Sequence, residues 1–213
     1  MKLPGKLKFE RARRQFDGRG KFSRDPTYKT GRRLVELYRD SSSELADGLG
    51  VVIVHWNHAF YRYGRPDFSA FEACLLRHQE SIASLGRKDL PAASQKDLAI
   101  ARELFEEFLE ALAGINRKTG AKRRSAVATV KALHLLAPSF FPLWDATIAR
   151  AYGCSYRGTD PSHAYMCFLT QMKALLAHLE EVGVKFPEDG RTRLKAVDEY
   201  NFTTYAAPAI YGP

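Results

Sequence analysis

Apolar residues recur at three- and four-residue spacing along most of the chain, the mark of helices that bury one face. Leu34, Leu37, Tyr38 and Leu45 give an apolar side to residues 30–47, and Gly48 and Gly50 are placed to end that helix. The run VVIVHWNHAFYRY, residues 51–63, reads two ways. Val51–Val54 suits a buried strand, but Trp56, Phe60 and Tyr63 continue at helical spacing. No second strand offers itself as a partner, so the run is predicted helical. Gly64-Arg65-Pro66-Asp67 predicts a turn, with Asp67 capping a helix that runs to 85. Residues 86–93 form a loop. Ser94-Gln95-Lys96-Asp97 then opens a long helix to 113, with Leu98, Ile100, Leu104, Phe105, Phe108, Leu109 and Leu112 as its apolar positions.

The middle of the chain has the sharpest pattern. A basic, glycine-containing hairpin comes first, Gly114-Ile115-Asn116-Arg117-Lys118-Thr119-Gly120-Ala121-Lys122. Arg123, Arg124 and Ser125 follow, and then a helix carrying Val127, Val130, Leu133, Leu136 and Ala137. Pro138 closes that helix. Phe140-Phe141-Pro142-Leu143-Trp144 make an apolar loop, Asp145 stands at a helix N-cap position, and the next helix ends at Gly153. A further helix is predicted to run from 161 to 182. Pro187-Glu188-Asp189 begins a last one over 188–200, and the tail with Phe202, Tyr205 and Tyr211 is expected to pack back on the body. The sum is an all-α protein: a compact bundle of six to eight helices, with a basic arm at 1–27 and a single domain at 28–213.

Charge adds a partner class. Residues 1–33 hold twelve Lys and Arg against Glu10, Asp17 and Asp25, a surplus equal to the whole net charge of +9. A basic arm on a near-neutral body points to a polyanion; a solvated tail is the plain alternative. No apolar run is long enough to span a membrane, and the basic start lacks the apolar core of a secretory signal. A cytoplasmic protein with no membrane partner is therefore expected. Cys74, Cys154 and Cys167 are sparse and odd in number, which fits reduced thiols and excludes a four-cysteine iron–sulfur cluster. No Cys/His spacing reads as a zinc site, and His55 and His58 read as hydrogen-bonded structural groups, so no metal or cofactor is expected. No phosphate-binding or dinucleotide-binding glycine motif is present.

Asp145 is the candidate for chemistry. Its plain role is to cap a helix. An apolar loop before it and a basic hairpin one helix upstream suggest more, namely a carboxylate beside a dry surface near a phosphate-binding element. Trp56 and Asn57 are a second candidate pair, able to stack on and read a nucleobase; a core Trp beside a locally bonded Asn is the alternative.

The order hairpin, helix, apolar Pro loop, Asp, helix over residues 114–153 resembles the helix-hairpin-helix DNA glycosylase superfamily. Pro142-Leu143-Trp144-Asp145 resembles that family's short loop of proline, apolar residue and aspartate, with Trp144 as one extra residue. The resemblance implies a helix-hairpin-helix-like core and an enzyme that hydrolyses the N-glycosidic bond of a base in double-stranded DNA. It places Asp145 at the catalytic position. Lys118, Lys122, Arg123, Arg124, Ser125 and Arg150 fall where DNA contacts are expected, and Trp56, Asn57 and Trp144 are the candidates for the base pocket. The lysine of strand-cleaving relatives registers on Ser125–Ala126. No lysine stands there, so a monofunctional enzyme that leaves an abasic site is expected, with Lys122 in reserve. The protein is expected to act as a monomer. One family-level expectation is a prokaryotic phage-defence enzyme that removes hypermodified, glucosylated cytosine, and ordinary base-excision repair is its alternative. Two other classes remain open: a non-catalytic DNA-binding protein on the same scaffold, and an all-α interaction protein with a basic arm.

Overall fold

The computed structural model describes residues 3–18, 25–116, 118–156, 158–186 and 190–208. Lys2, Arg19, Lys21 and Arg24 of the basic stretch, Pro187-Glu188-Asp189 and Tyr211 lie outside them. Eleven α-helices and one three-stranded sheet make up the described residues, so the chain is all-α in class. No described helix is long and apolar enough to cross a membrane. Helix count exceeds the expected six to eight because several expected elements are split and one was not expected at all.

That unexpected helix is α1, Lys6–Asp17, inside the stretch that reads as an arm. Phe9, Ala12 and Phe16 recur on one face and are buried, so much of this stretch is structure and not a solvated tail. Where one helix is expected over 30–47, two form: α2, Pro26–Leu37, and α3, Ser42–Trp56. Ser41 makes the break by capping α3, its Oγ accepting from the Glu44 N–H. Gly48 and Gly50 do not end a helix; they lie inside α3. Residues 51–63 are helical up to Tyr61, in the end of α3 and the short α4, His58–Tyr61. Asp67 caps α5, Phe68–Arg77, as expected, but α5 stops before His78 and α6, Gln79–Gly86, continues in its place. Ser94 and Asp97 form a complete capping box on α7, Gln95–Ala111.

The hairpin holds the chief departure. Residues read as a basic hairpin, with no strand expected, form strands β2, Gly114–Asn116, and β3, Lys122–Arg123, with β1, Gly64–Arg65, added on the other edge of β2. Asn116 drives this locally. Its side-chain oxygen accepts from the Lys118 and Thr119 N–H groups, and Gly120 takes φ +68° to bring the chain back. β1 approaches β2 so closely that a Cβ on Gly64 would meet the Ile115 carbonyl oxygen at 2.4 Å. The hairpin over residues 114–123 is therefore a β-hairpin in a three-stranded antiparallel sheet.

Helix α8, Ala126–Leu136, is capped by Ser125 and buried on nearly every side. α9, Ala146–Ala151, is capped by Asp145, and Gly153 ends it at φ +68°. α10, Pro161–Glu181, is capped by Asp160. α11, Arg193–Asn201, begins at a Thr192 cap and runs on into a wider turn, Phe202–Ala206.

The chain divides into two compact units. One comprises residues 26–87 and 94–137, that is α2–α8 with the sheet. Its core is Leu49, Ile53, Phe71, Leu104, Phe105, Phe108, Val130 and Leu133. Burying each such side chain contributes about 1.5–3 kcal/mol. The other comprises residues 1–25, 88–93 and 138–213, with α1 and α9–α11. It is aromatic. Trp144 packs on Tyr165 and Phe168, Phe9 on Tyr200, Phe16 on Phe202, and Tyr205 on Tyr152 and Tyr200. Phe202 and Tyr205 thus pack back as expected of the tail.

This aromatic unit also buries charge. Lys195, 4% exposed, places Nζ 2.7 Å from Asp25 and 2.8 Å from Asp198. Burial disfavours its ammonium, but Asp198 and then Asp25 outweigh that and raise it above its ordinary value. Glu199, 2% exposed, is paired with Arg191 at 3.0 Å and faces Arg13 at 3.6 Å. Burial raises its carboxyl, and Lys195 and Arg191 oppose the rise.

Candidate functional site

Asp145 ends a loop that is dry by construction. Phe140, Phe141, Leu143 and Trp144 are all buried, and the Tyr165 hydroxyl donates to the Pro142 carbonyl at 3.0 Å, which fixes the loop to α10. The carboxylate itself is half-buried. Thr147 N–H and Ile148 N–H both donate to Oδ1, at 2.8 and 2.7 Å. One oxygen is held by the backbone, and Oδ2 takes no part in the cap. Such a group is orientated without being used up.

Trp144 is buried in the core. It is 2% exposed, with rings of Tyr156, Tyr165 and Phe168 at 5.0–5.5 Å, and its buried Nε1 has no hydrogen-bond partner. The extra residue before Asp145 is a core anchor for the loop. Arg150 is exposed in the last turn of α9, where a cation also suits the helix dipole.

The other expected residues belong to the helical unit with the sheet. Trp56 and Asn57 meet there, and the structure adds Lys131 to them. Its ammonium lies 4.6 Å from the Trp56 ring centroid and donates to the Trp56 carbonyl at 3.2 Å and to Asn57 Oδ1 at 3.1 Å. Asn57 Nδ2 donates to the Ile53 carbonyl at 2.9 Å. Both ends of that amide are therefore occupied within the protein. The trio closes the C-terminus of α3, with a cation where the dipole is negative. His55 and His58 are both exposed.

Lys118, Lys122, Arg123 and Arg124 are exposed on the hairpin, and Ser125 is the α8 cap, accepting from the Ala128 N–H at 3.2 Å. Arg124 pairs with Glu110. The added strand β1 brings Arg62, Tyr63 and Arg65 to the same sheet. Arg123 lies 5.2 Å over the Phe60 ring and Arg62 4.5 Å over Tyr63, which is 59% exposed. Phe60, Tyr63, Gly64, Gly114, Asn116 and Arg123 line a shallow depression between them. No Asp or Glu occurs in 58–66 or 114–124. Cations interleaved with the exposed Tyr63 ring and the half-buried Phe60 ring suit phosphates and bases together. Sequence reading found the hairpin half of this face. It missed Arg62, Tyr63 and Arg65, whose signal was an acid-free run placed next to glycine.

Asp145, Trp144 and Arg150 thus lie in the aromatic unit, and Trp56, Asn57 and the hairpin cations in the other. Comparison with known proteins returns nothing: no family model matches the chain, and no curated protein or solved structure is significantly similar to it.

Proposed function

We propose that this protein is a monofunctional DNA N-glycosylase that binds duplex DNA through its basic, aromatic-bearing face and uses Asp145 as the catalytic carboxylate. The observation that carries the reading is the state of Asp145. A dry loop delivers it, two backbone N–H groups hold Oδ1, and Oδ2 is outside the cap. When a C1′–N bond breaks, positive charge builds on the sugar. A fixed carboxylate stabilises that charge or orientates the water that adds to C1′, and it does so most strongly where water is sparse. The base leaves with the bonding electrons, water supplies the hydroxyl, and an abasic site remains. Strand cleavage would need an amine at the sugar. Lys131 is engaged with Trp56 and Asn57, which leaves exposed Lys122 as the reserve amine for that role.

The test is base release from duplexes carrying uracil, alkylated or oxidised bases, and from glucosylated phage DNA, with hot alkali to reveal abasic sites. Alkali-dependent breaks with the native chain and none with Asp145→Asn are expected. Activity on glucosylated DNA would mark a phage-defence substrate, and activity on damaged bases alone would mark repair. A second reading, a DNA-binding protein without chemistry, is favoured by one feature: the basic face is complete without Asp145. Salt-sensitive binding with no breaks on any duplex would select it.

A further inference from the structure

We propose that Cys74, His78 and Glu107 form a binding site for one divalent transition-metal cation, Zn²⁺ foremost, which ties α5 to α7. Cys74 and His78 stand one helical turn apart at the end of α5, and Glu107 faces them from α7. Their candidate ligand atoms all lie within 4.8 Å of one another. Among the described residues they form the one such group of three or more.

The observation that points to a ligand is His78. Its ring is 6% exposed, and its buried Nε2 has no hydrogen-bond partner. The facing acceptor, Glu107 Oε2, is 3.7 Å away, too far for a hydrogen bond. A buried ring nitrogen left in that state is costly. A cation between the three groups would satisfy it.

The chemistry of the donors selects the metal class. A thiolate and an imidazole favour zinc and its neighbours over calcium or magnesium. One thiolate, one carboxylate and a neutral imidazole balance a 2+ ion, so the loaded site carries no net charge into the interior. Ligands around zinc sit roughly 3.5 Å from one another. The group must therefore contract by about 1 Å. Glu107 can supply that movement, since its side chain is 41% exposed while Cys74 is 3% exposed. On binding, the Cys74 thiol proton passes to solvent and the thiolate sulfur donates to the metal. Arg77, whose Nη1 now donates to Glu107 Oε2 at 2.6 Å, is placed to hold the carboxylate from outside. Solvent reaches the Glu107 side of the group and completes the coordination shell.

The experiment uses the full chain, stripped with chelator and titrated with Co²⁺ and then Zn²⁺. Cys167→Ser serves as the background, because exposed Cys167 Sγ lies 3.6 Å from His163 Nε2 and could bind metal on its own. One equivalent of Co²⁺ should bind with a thiolate-to-metal charge-transfer band and intense four-coordinate d–d absorption. Zn²⁺ should displace it and raise Tm. Adding Cys74→Ser should abolish the charge-transfer band and weaken binding by more than about 100-fold, with the circular dichroism unchanged. His78→Gln should weaken binding similarly, and it stands in if the serine variant fails to fold. No stoichiometric binding in the Cys167→Ser background, or a band that survives Cys74→Ser, would overturn the site. These readouts do not depend on any activity toward DNA.

Discussion

The two units handle charge in opposite ways. In the aromatic unit the cations Lys195, Arg191 and Arg13 are drawn onto Asp25, Asp198, Asp17 and Glu199, several of them out of water. In the other unit Arg62, Arg65, Lys118, Lys122 and Arg123 stand on a small sheet whose strands and turns contain no acid. Summed along the sequence, the whole surplus of +9 falls in residues 1–33. In space, part of that stretch is structural: Arg13 faces Glu199, and Asp17 and Asp25 receive Arg191 and Lys195. Net charge by segment is therefore a poor guide to where a polyanion docks. A one-signed surface next to exposed rings is a better one.

The largest test of this contrast is Lys195→Ala. It strands Asp25 and Asp198 beside a buried gap and should cost about 3–5 kcal/mol in urea unfolding. Lys122→Ala and Lys118→Ala should each stay within about 0.5 kcal/mol. Equal costs at both places would erase the distinction.

Alkali should expose the same asymmetry. Burial raises the hydroxyls of Tyr152, Tyr165 and Tyr200 in the aromatic unit and of Tyr61 in the other, and the carboxylates around Lys195 raise its ammonium. Groups raised on folding contribute stability that is complete below their unfolded values and is lost as pH climbs toward the folded ones. Stability should hold through neutral pH, begin to fall above 9.0, where the buried and likewise raised Cys74 and Cys154 thiols start to count, and fall further above 10.0, the ordinary tyrosine value, with Lys195 adding to the loss above 10.5. Phenolate absorbance and circular dichroism should move together. Phenolate appearing near pH 10 with the fold intact would contradict the burial argument.

Asp145 gives a smaller and sharper effect. Asn caps helices about as well as Asp, so Asp145→Asn should leave stability near the native value, while Asp145→Ala loses about 1 kcal/mol. A large loss with Asn would show that the carboxylate charge itself is structural. On the basic face, Lys122→Ala or Arg123→Ala should each reduce the slope of log affinity for DNA against log salt by about 1, leaving the fold alone. An unchanged slope would move the DNA contacts elsewhere.

Much of this was legible in the sequence. Caps at Asp67, Ser94 and Asp145 stand where side-chain chemistry placed them, because a cap depends only on neighbours three residues away. The long apolar face of α10 was equally plain. Breaks near 40 and at His78 were not, since each is decided by a local cap or turn competing with an unbroken apolar period. α1 was hidden by its charge: three buried apolar residues in twelve suffice to seat a helix when a partner is already there. The sheet was invisible because β1 has two residues and exists only through pairing with β2. At the site, the Asp145 cap was read correctly, whereas Trp144 went to the core because its ring is enclosed by residues of α10 and by Tyr156, distant in sequence. Lys131 joins Trp56 and Asn57 because a long side chain reaches past its own turn to the end of α3.

Base release by the native chain and Asp145→Asn, side by side on the same duplex panel and with equal DNA binding verified, tests the central claim most directly. The account predicts alkali-revealed abasic sites on at least one substrate with the native chain, and a loss of at least about 100-fold with Asn at equal affinity and stability. Release that survives the substitution, or no release on any duplex, would contradict it and return Asp145 to the role of a helix cap.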